Sequence, residues 1–156
     1  MKLKQISIFI ENSPGRLFEV TNILGEAGIN LRALSLVDTS DFGVLRLLVS
    51  DVTTARRLMM EKQMPARVDD VVAVEIEDRP GSLSNLLKPL LEARVNVNYM
   101  YAFAGFSAGK AVMIFRFSDN DKAISILQQK GIKPLDADTF GMIDKGGCVD
   151  ERGNKI

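Results

Sequence analysis

Hydrophobic residues alternate with polar ones from the start of the chain. Ile6, Ile8 and Ile10 fall on one face of an extended segment, and Val72, Val74 and Ile76 repeat the pattern. A period of two predicts strands covered on one side. Behind each strand the period lengthens: Leu17, Val20, Leu24 and Ala27 recur at helical spacing, as do Leu83, Leu86, Leu87 and Leu90, so each strand is followed by a helix. Pro14 suits the first helical position, Ser13 the N-cap, and Gly28 the helix end. In the second helix Pro89 removes an intrahelical bond and predicts a kink.

Strand-type runs follow at 31–37 and 44–49, with counterparts at 97–103 and 111–117. Asp41 to Gly43 and Gly105 to Gly109 supply hairpin turns between them. Further helices are expected from near Asp51 and Asp119, whose carboxylates favour a helix N-terminus. They would bury Ala55, Leu58 and Met59, or Ala123, Ile126 and Leu127. Short last strands are expected at 66–70 and 133–139, the first running without a linker into 71–77.

The halves of this pattern are copies. Displaced by 66, positions 6–31 share nine identities out of 26 with 72–97; beyond that the displacement becomes 68, matching Ser50-Asp51 with Ser118-Asp119. Each copy reads β-α-β-β-α-β, which predicts an α+β protein of two tandem ferredoxin-like βαββαβ units, antiparallel sheets with both helices on one face. The expected division is 1–70, 71–140 and a Gly-containing, flexible tail at 141–156. Phe9, Tyr99, Tyr101 and Phe103 leave apolar side chains on whichever sheet face the helices do not cover, which predicts a homodimer through exposed sheet.

Composition removes several chemistries. The chain has no histidine, hence no common general base, imidazole ligand or pH switch. Its one cysteine, Cys148, allows no intrachain disulfide or thiolate cluster, so no metal and no cofactor are expected and a reducing, cytoplasmic setting fits. Basic and acidic residues balance at nine each in 1–70 and eight each in 71–140, which opposes nucleic-acid binding through phosphate neutralisation. No apolar run approaches the 18 or so residues of a membrane span.

In each copy a strand ends in an acidic or amide residue, then comes x-Pro-Gly-x-Leu, an apolar helix, and Gly28-Ile29-Asn30-Leu31 or Arg94-Val95-Asn96-Val97 opening the next strand. With the duplicated spacing and the βαββαβ order, roughly residues 3–140 resemble the ACT domain family. The resemblance implies that a small ligand, usually an amino acid, binds where paired units meet and regulates an enzyme or a transcriptional process. No catalytic domain is read beside the two copies, and although carboxylates such as Glu77 or Asp78 could serve as acid or base, no pair of them is specified, so no enzyme is expected. The regulated enzyme would be a separate protein.

The residues give that chemistry a physical basis. Main-chain N–H groups at Gly15, Arg16 and Leu17, and at Gly81, Ser82 and Leu83, stand at helix starts without intrahelical partners and suit a carboxylate. Taken alone, a Pro-Gly at a helix start is a turn and nothing more. Asn12 with Ser13 and Pro14, and Asp78 with Arg79 and Pro80, flank the two seats. Arg79 cannot cap its helix as Ser13 can, so unless Asp78 substitutes, the second seat is the emptier. Asn30 and Asn96 are candidate partners for the ligand's charged groups, although an Asn there equally satisfies a turn. Turn and Asn of one copy lie a helix length apart. The expected arrangement is therefore crossed, with Asn12–Leu17 facing Asn96 and Asp78–Leu83 facing Asn30.

Gly105 to Ala111 resembles a phosphate loop but has three residues between its glycines instead of four and lacks the Ser/Thr, so it reads as a hairpin. Phe115 and Phe117 are the aromatic residues an RNA-binding version of the fold would use. The chief rival is an accessory subunit that has lost its ligand. In size and first unit the chain is similar to small regulatory subunits of acetohydroxyacid synthase, though the second copy departs from them.

Overall fold

Each period-two segment forms a strand and each 3.6-period segment a helix, in the expected order. The computed structural model describes residues 1–38, 41–104 and 109–142. In it β1 (Leu3–Glu11) leads to α1 (Arg16–Glu26), β2 (Leu31–Asp38), β3 (Phe42–Val49) and α2 (Val52–Glu61). After β4 (Ala66–Glu77) come α3 (Ser82–Glu92), β5 (Val97–Ala104), β6 (Lys110–Phe117), α4 (Asn120–Gln129) and β7 (Pro134–Leu135). The turn expected at 105–109, apart from Gly109, lies outside the described residues, as do Cys148 and the expected tail beyond Met142.

The final strand of the first repeat and the initial strand of the second are one twelve-residue strand. Residues 66–71 of β4 pair with β1, and residues 72–77 pair with β6, all antiparallel, in the order β2-β3-β1-β4-β6-β5 with β7 also on β4. Asp51 and Asp119 cap α2 and α4, accepting from the N–H groups of Thr54 and Lys122 at 2.9 Å. The Thr54 hydroxyl also donates to Asp51, at 2.6 Å, and these bonds hold its carboxyl below the ordinary carboxylate range.

Three apolar cores result. Ile6, Ile8 and Ile10 pack under α1 and α2 with Val20, Leu24, Ala55 and Met59, while Val72 and Val74 pack under α3 and α4 with Leu86, Leu90, Phe115 and Leu127. The third core corrects the expectation of an open sheet face. Leu3, Ala33 and Leu48 of the first repeat bury against Val112, Ile114 and Phe140 of the second, together with Val71 and Ala73 of the shared strand. The helix-free faces therefore cover each other within the chain, and the layers run helices, sheet, sheet, helices. Tyr99 and Tyr101, expected on an exposed face, lie in this joint. The side chain of Phe103 lies outside the described residues. Phe115 and Phe117 stack at 5.0 Å between ring centres and are fully buried, which denies them to a base.

The last expected strand is shorter than 133–139. Asp136 accepts from the Thr139 N–H at 3.0 Å and hydroxyl at 2.7 Å, and this local turn competes with the ladder. It drops Phe140 into the inter-sheet core. Gly141, placed in the tail by sequence, is held by its N–H to the Asp138 carbonyl at 2.9 Å and by Arg32, which donates to its carbonyl at 3.2 Å.

Helix α3 contains Pro89 and continues to Glu92. An interior proline costs a helix about 3 kcal/mol, and its effect on the unfolded chain returns up to about 1 kcal/mol. Pro89→Ala is expected to raise unfolding stability by about 2 kcal/mol in urea melts, with the slope unchanged.

Candidate functional site

The two Pro-Gly steps adopt one geometry, and it differs from the helix start expected from sequence. Gly15 has φ 90° and ψ −17°, Gly81 has φ 87° and ψ −14°, and the N–H groups of Arg16 and Ser82 donate to the carbonyls of Ser13 and Arg79 at 3.4 and 3.3 Å. Proline at the second position and a left-handed glycine at the third make a type II turn. Pro14 and Pro80 therefore precede their helices, and Gly15 and Gly81 occupy the N-cap positions with no side-chain cap. Neither Ser13 nor Asp78 caps a helix. Two of the expected anion donors, the N–H groups of Arg16 and Ser82, are already used by these turns. Those of Gly15 and Leu17, and of Gly81 and Leu83, have no partner among the described residues.

Each turn opens onto a cavity lined by its own repeat, and the repeats make the two very different in size. The second has about 610 Å³, bounded by Glu77, Asp78, Arg79, Gly81, Ser82 and Ser84 at the rim and by Ile76, Leu83, Leu87, Ala102, Ala111 and Met113 below. The first has about 80 Å³, lined by Asn12, Ser13, Arg16, Leu17, Leu36 and Gly43 among others. Strand registers make these equivalent places: Ile10 lies opposite Gly43 as Ile76 lies opposite Ala111, and Leu36 opposite Leu45 as Ala102 opposite Met113.

Charge is arranged differently at the two. Arg16 is clamped, its Nη1 3.0 Å from Glu19 and its Nη2 3.1 Å from Glu11. The bond to Glu19, then that to Glu11, raises the affinity of the guanidinium for its proton. In the second repeat Ser82 takes the place of Arg16, and Glu77, the counterpart of Glu11, pairs across the sheet with Lys110. That ammonium holds the Glu77 carboxyl below its usual range.

Asn30 and Asn96 sit at the far ends of α1 and α3. Eleven residues at the helical rise put them roughly 16 Å from the turns. Their backbones are pinned alike: the N–H groups of Asn30 and Asn96 donate to the hydroxyls of Ser50 and Ser118 at 3.0 and 3.1 Å. The Asn96 amide also reaches Asn98 at 3.4 Å. Neither asparagine lines the cavity of the other repeat. Because the repeats join through their sheet faces, the crossed facing expected of one chain is not formed within it. Leu31 and Val97 are partly buried against the two helix-side cores and line neither turn cavity. Among the described residues no group of three or more acidic, cysteine or histidine side chains is placed to hold a metal ion. No helix among them is long and apolar enough to cross a membrane.

A family model described as an ACT domain pair matches residues 1–140. A crystal structure of a protein from Bacteroides thetaiotaomicron is 38% identical, with TM-score 0.85, over 90% of this chain and 96% of that one. The ligand-free regulatory subunit of aspartate kinase from Thermus thermophilus shares the fold at TM-score 0.57 and 14% identity, over 81% of this chain and 91% of that one. The corresponding subunit from Thermus flavus does so at 0.56 and 16%, over 80% and 88%. No curated protein matches the sequence.

Proposed function

The chain belongs to the ACT domain family as a pair of units, and from that premise we propose a cytoplasmic amino-acid sensor controlling a separate enzyme or regulator of amino acid metabolism. A ligand-binding regulatory role goes with the family. The observation that carries the finer reading is the cleft beside Gly81, where main-chain N–H groups without partners border an apolar floor. An α-carboxylate suits the first and an aliphatic or aromatic side chain the second. The fold shared with regulatory subunits of aspartate kinase, an enzyme of amino acid metabolism, agrees with a partner of that kind.

The chain is expected to pair with a second copy. β2 is an edge strand, and Leu34 and Leu36 on it are 59% and 46% exposed, beside Leu17 and Phe18 of α1 at 41% and 72%. This apolar edge of the first repeat favours a homodimer. Leu34→Glu is expected to leave the fold intact and shift sedimentation from dimer to monomer. A wild-type monomer at tens of micromolar would remove the dimer from the reading.

A ligand that bridges two units favours the paired state by its differential affinity, and a partner enzyme senses only that difference. Few heavy atoms limit an amino acid to micromolar to millimolar binding, about 4–8 kcal/mol. Calorimetry against the twenty amino acids tests the proposal, and silence at millimolar concentration overturns it. The closed first cavity favours one rival: an accessory subunit that holds its enzyme without a ligand of its own. Co-purification of a stoichiometric enzyme, with no amino acid shifting the melting temperature, would establish that instead.

A further inference from the structure

Equivalent positions in a duplicated chain act as a built-in control, since fold, strand register and Pro-Gly turn geometry are shared, and the second copy differs in its side chains and in two extra residues between β5 and β6. Among the positions that differ between the two turn cavities, four change the bulk beside the turn and the sheet. Arg16 stands where the second repeat has Ser82, Leu36 where it has Ala102, Thr21 where it has Leu87, and Gly43 where it has Ala111. Arg16 lies along the first turn between Glu11 and Glu19. Leu36 closes over the sheet, its Cδ1 reaching within 3.2 Å of where a Gly43 Cβ would stand. The large side chain at 36 and the glycine at 43 are therefore a matched pair. In the second repeat Ser82 and the two alanines, Ala102 and Ala111, withdraw that bulk. The outcome is 80 Å³ against 610 Å³. Small-molecule sites run roughly 300–1,000 Å³, so the second cleft is in range and its first-repeat equivalent is not; the roughly 360 Å³ cleft that Arg16 and Glu11 also border lies toward Phe42, Lys62 and Pro65 and includes no residue of the Ser13-Pro14-Gly15 turn.

We propose that the pair is functionally asymmetric: the second repeat holds the ligand, one per chain, and that ligand is an amino acid with a branched or aromatic apolar side chain. This rests on the amino-acid-sensor reading and narrows it. The side-chain class follows from the floor of the cleft. Ile76, Leu87 and Met113 present hydrocarbon and a thioether, and Leu83 closes one side. The charged groups Glu77, Asp78 and Arg79 stand at the rim with the turn, where the ligand's own ammonium and carboxylate belong. Glu77 is engaged by Lys110, which leaves Asp78 and Arg79 for those charges. A hydroxyl, carboxamide or charged side chain placed on that floor would lose its water without gaining a partner. The first repeat meanwhile keeps its turn closed with its own guanidinium and serves pairing through the Leu34 and Leu36 edge.

The test is titration calorimetry on the full chain with leucine, isoleucine, valine, methionine and phenylalanine, against glycine, serine, aspartate and lysine. The expected result is one apolar amino acid per chain, bound at least ten times more tightly than any of the polar set. Ser82→Arg combined with Ala102→Leu and Ala111→Gly places the Arg16, Leu36 and Gly43 set in the second cleft and should weaken binding at least tenfold, with the circular dichroism spectrum unchanged. Arg16→Ser combined with Leu36→Ala, shown by sedimentation to keep the wild-type oligomeric state, should raise the stoichiometry from one to two, a gain that misfolding cannot mimic. Two sites in the unaltered chain, or preference for a polar amino acid, overturns the inference while leaving the sensor reading in place. Silence toward all twenty amino acids overturns both.

Discussion

Gln5→Leu is expected to lower unfolding stability by about 3 kcal/mol, although Gln5 lines neither turn cavity and carries no charge. The side chain is fully buried on β1 in the joint between the two sheets. Its Nε2 donates to the Tyr99 hydroxyl at 2.7 Å and the Ser7 hydroxyl at 3.1 Å, and its Oε1 accepts from the Tyr101 hydroxyl at 2.9 Å. Arg46 lies over the Tyr99 ring at 4.0 Å from its centre. One amide thus links a strand of the first repeat to two tyrosines of the second. Leucine fills the volume but leaves three hydroxyls in an apolar layer, at roughly 1–3 kcal/mol for each group that stays unsatisfied. Adding Tyr101→Phe removes one stranded hydroxyl and should restore about 1 kcal/mol, which a double-mutant cycle in urea reads directly.

The same site sets an alkaline limit. Burial, with Tyr99 beside it, pushes the Tyr101 phenol well above its ordinary value near 10. Its contribution to stability is therefore complete below the unfolded chain's pKa. It is lost as pH rises past about 10, where only the unfolded chain releases the proton, at up to about 1.4 kcal/mol per pH unit. Tyr101→Phe should remove that slope.

The fold was legible because its signals are local. A strand covered on one side shows period two within five residues, as at Ile6, Ile8 and Ile10, and duplication let each repeat check the other. What covers the opposite face was not legible. Tyr99 and Tyr101 announce an apolar face, but whether it meets another chain or the same one depends on how a single strand, Ala66–Glu77, passes from one half-sheet to the next, and no pattern along the chain records that angle. The turns show a different limit. Pro-Gly identified the place, yet proline suits both a first helical residue and the second position of a type II turn, and the left-handed Gly15 and Gly81 decide for the turn. The inequality of the two cavities was present in the sequence, unread, as Arg16 against Ser82 and Leu36 against Ala102.

Those shared residues permit a matched comparison, and its expected result separates structure from ligand binding. Gly15 and Gly81 differ by 3° in both φ and ψ, and a Cβ built on either meets no other group within 4 Å. Gly15→Val and Gly81→Val should therefore cost the fold nearly the same, about 2 kcal/mol, since the cost is the left-handed backbone and not a clash. Binding should respond to one of them alone. At Gly81 the valine methyls enter the cleft, and any relaxation of φ turns the adjacent N–H away from the carboxylate seat, so affinity for an apolar amino acid should fall at least tenfold. Gly15 lines neither turn cavity, and affinity should stay within a factor of two. Urea melts give the first quantity, and calorimetry well below the unfolding transition gives the second. Equal losses of affinity in the two variants would mean that the first turn holds ligand as well, and the size of its cavity would then be no guide to its use.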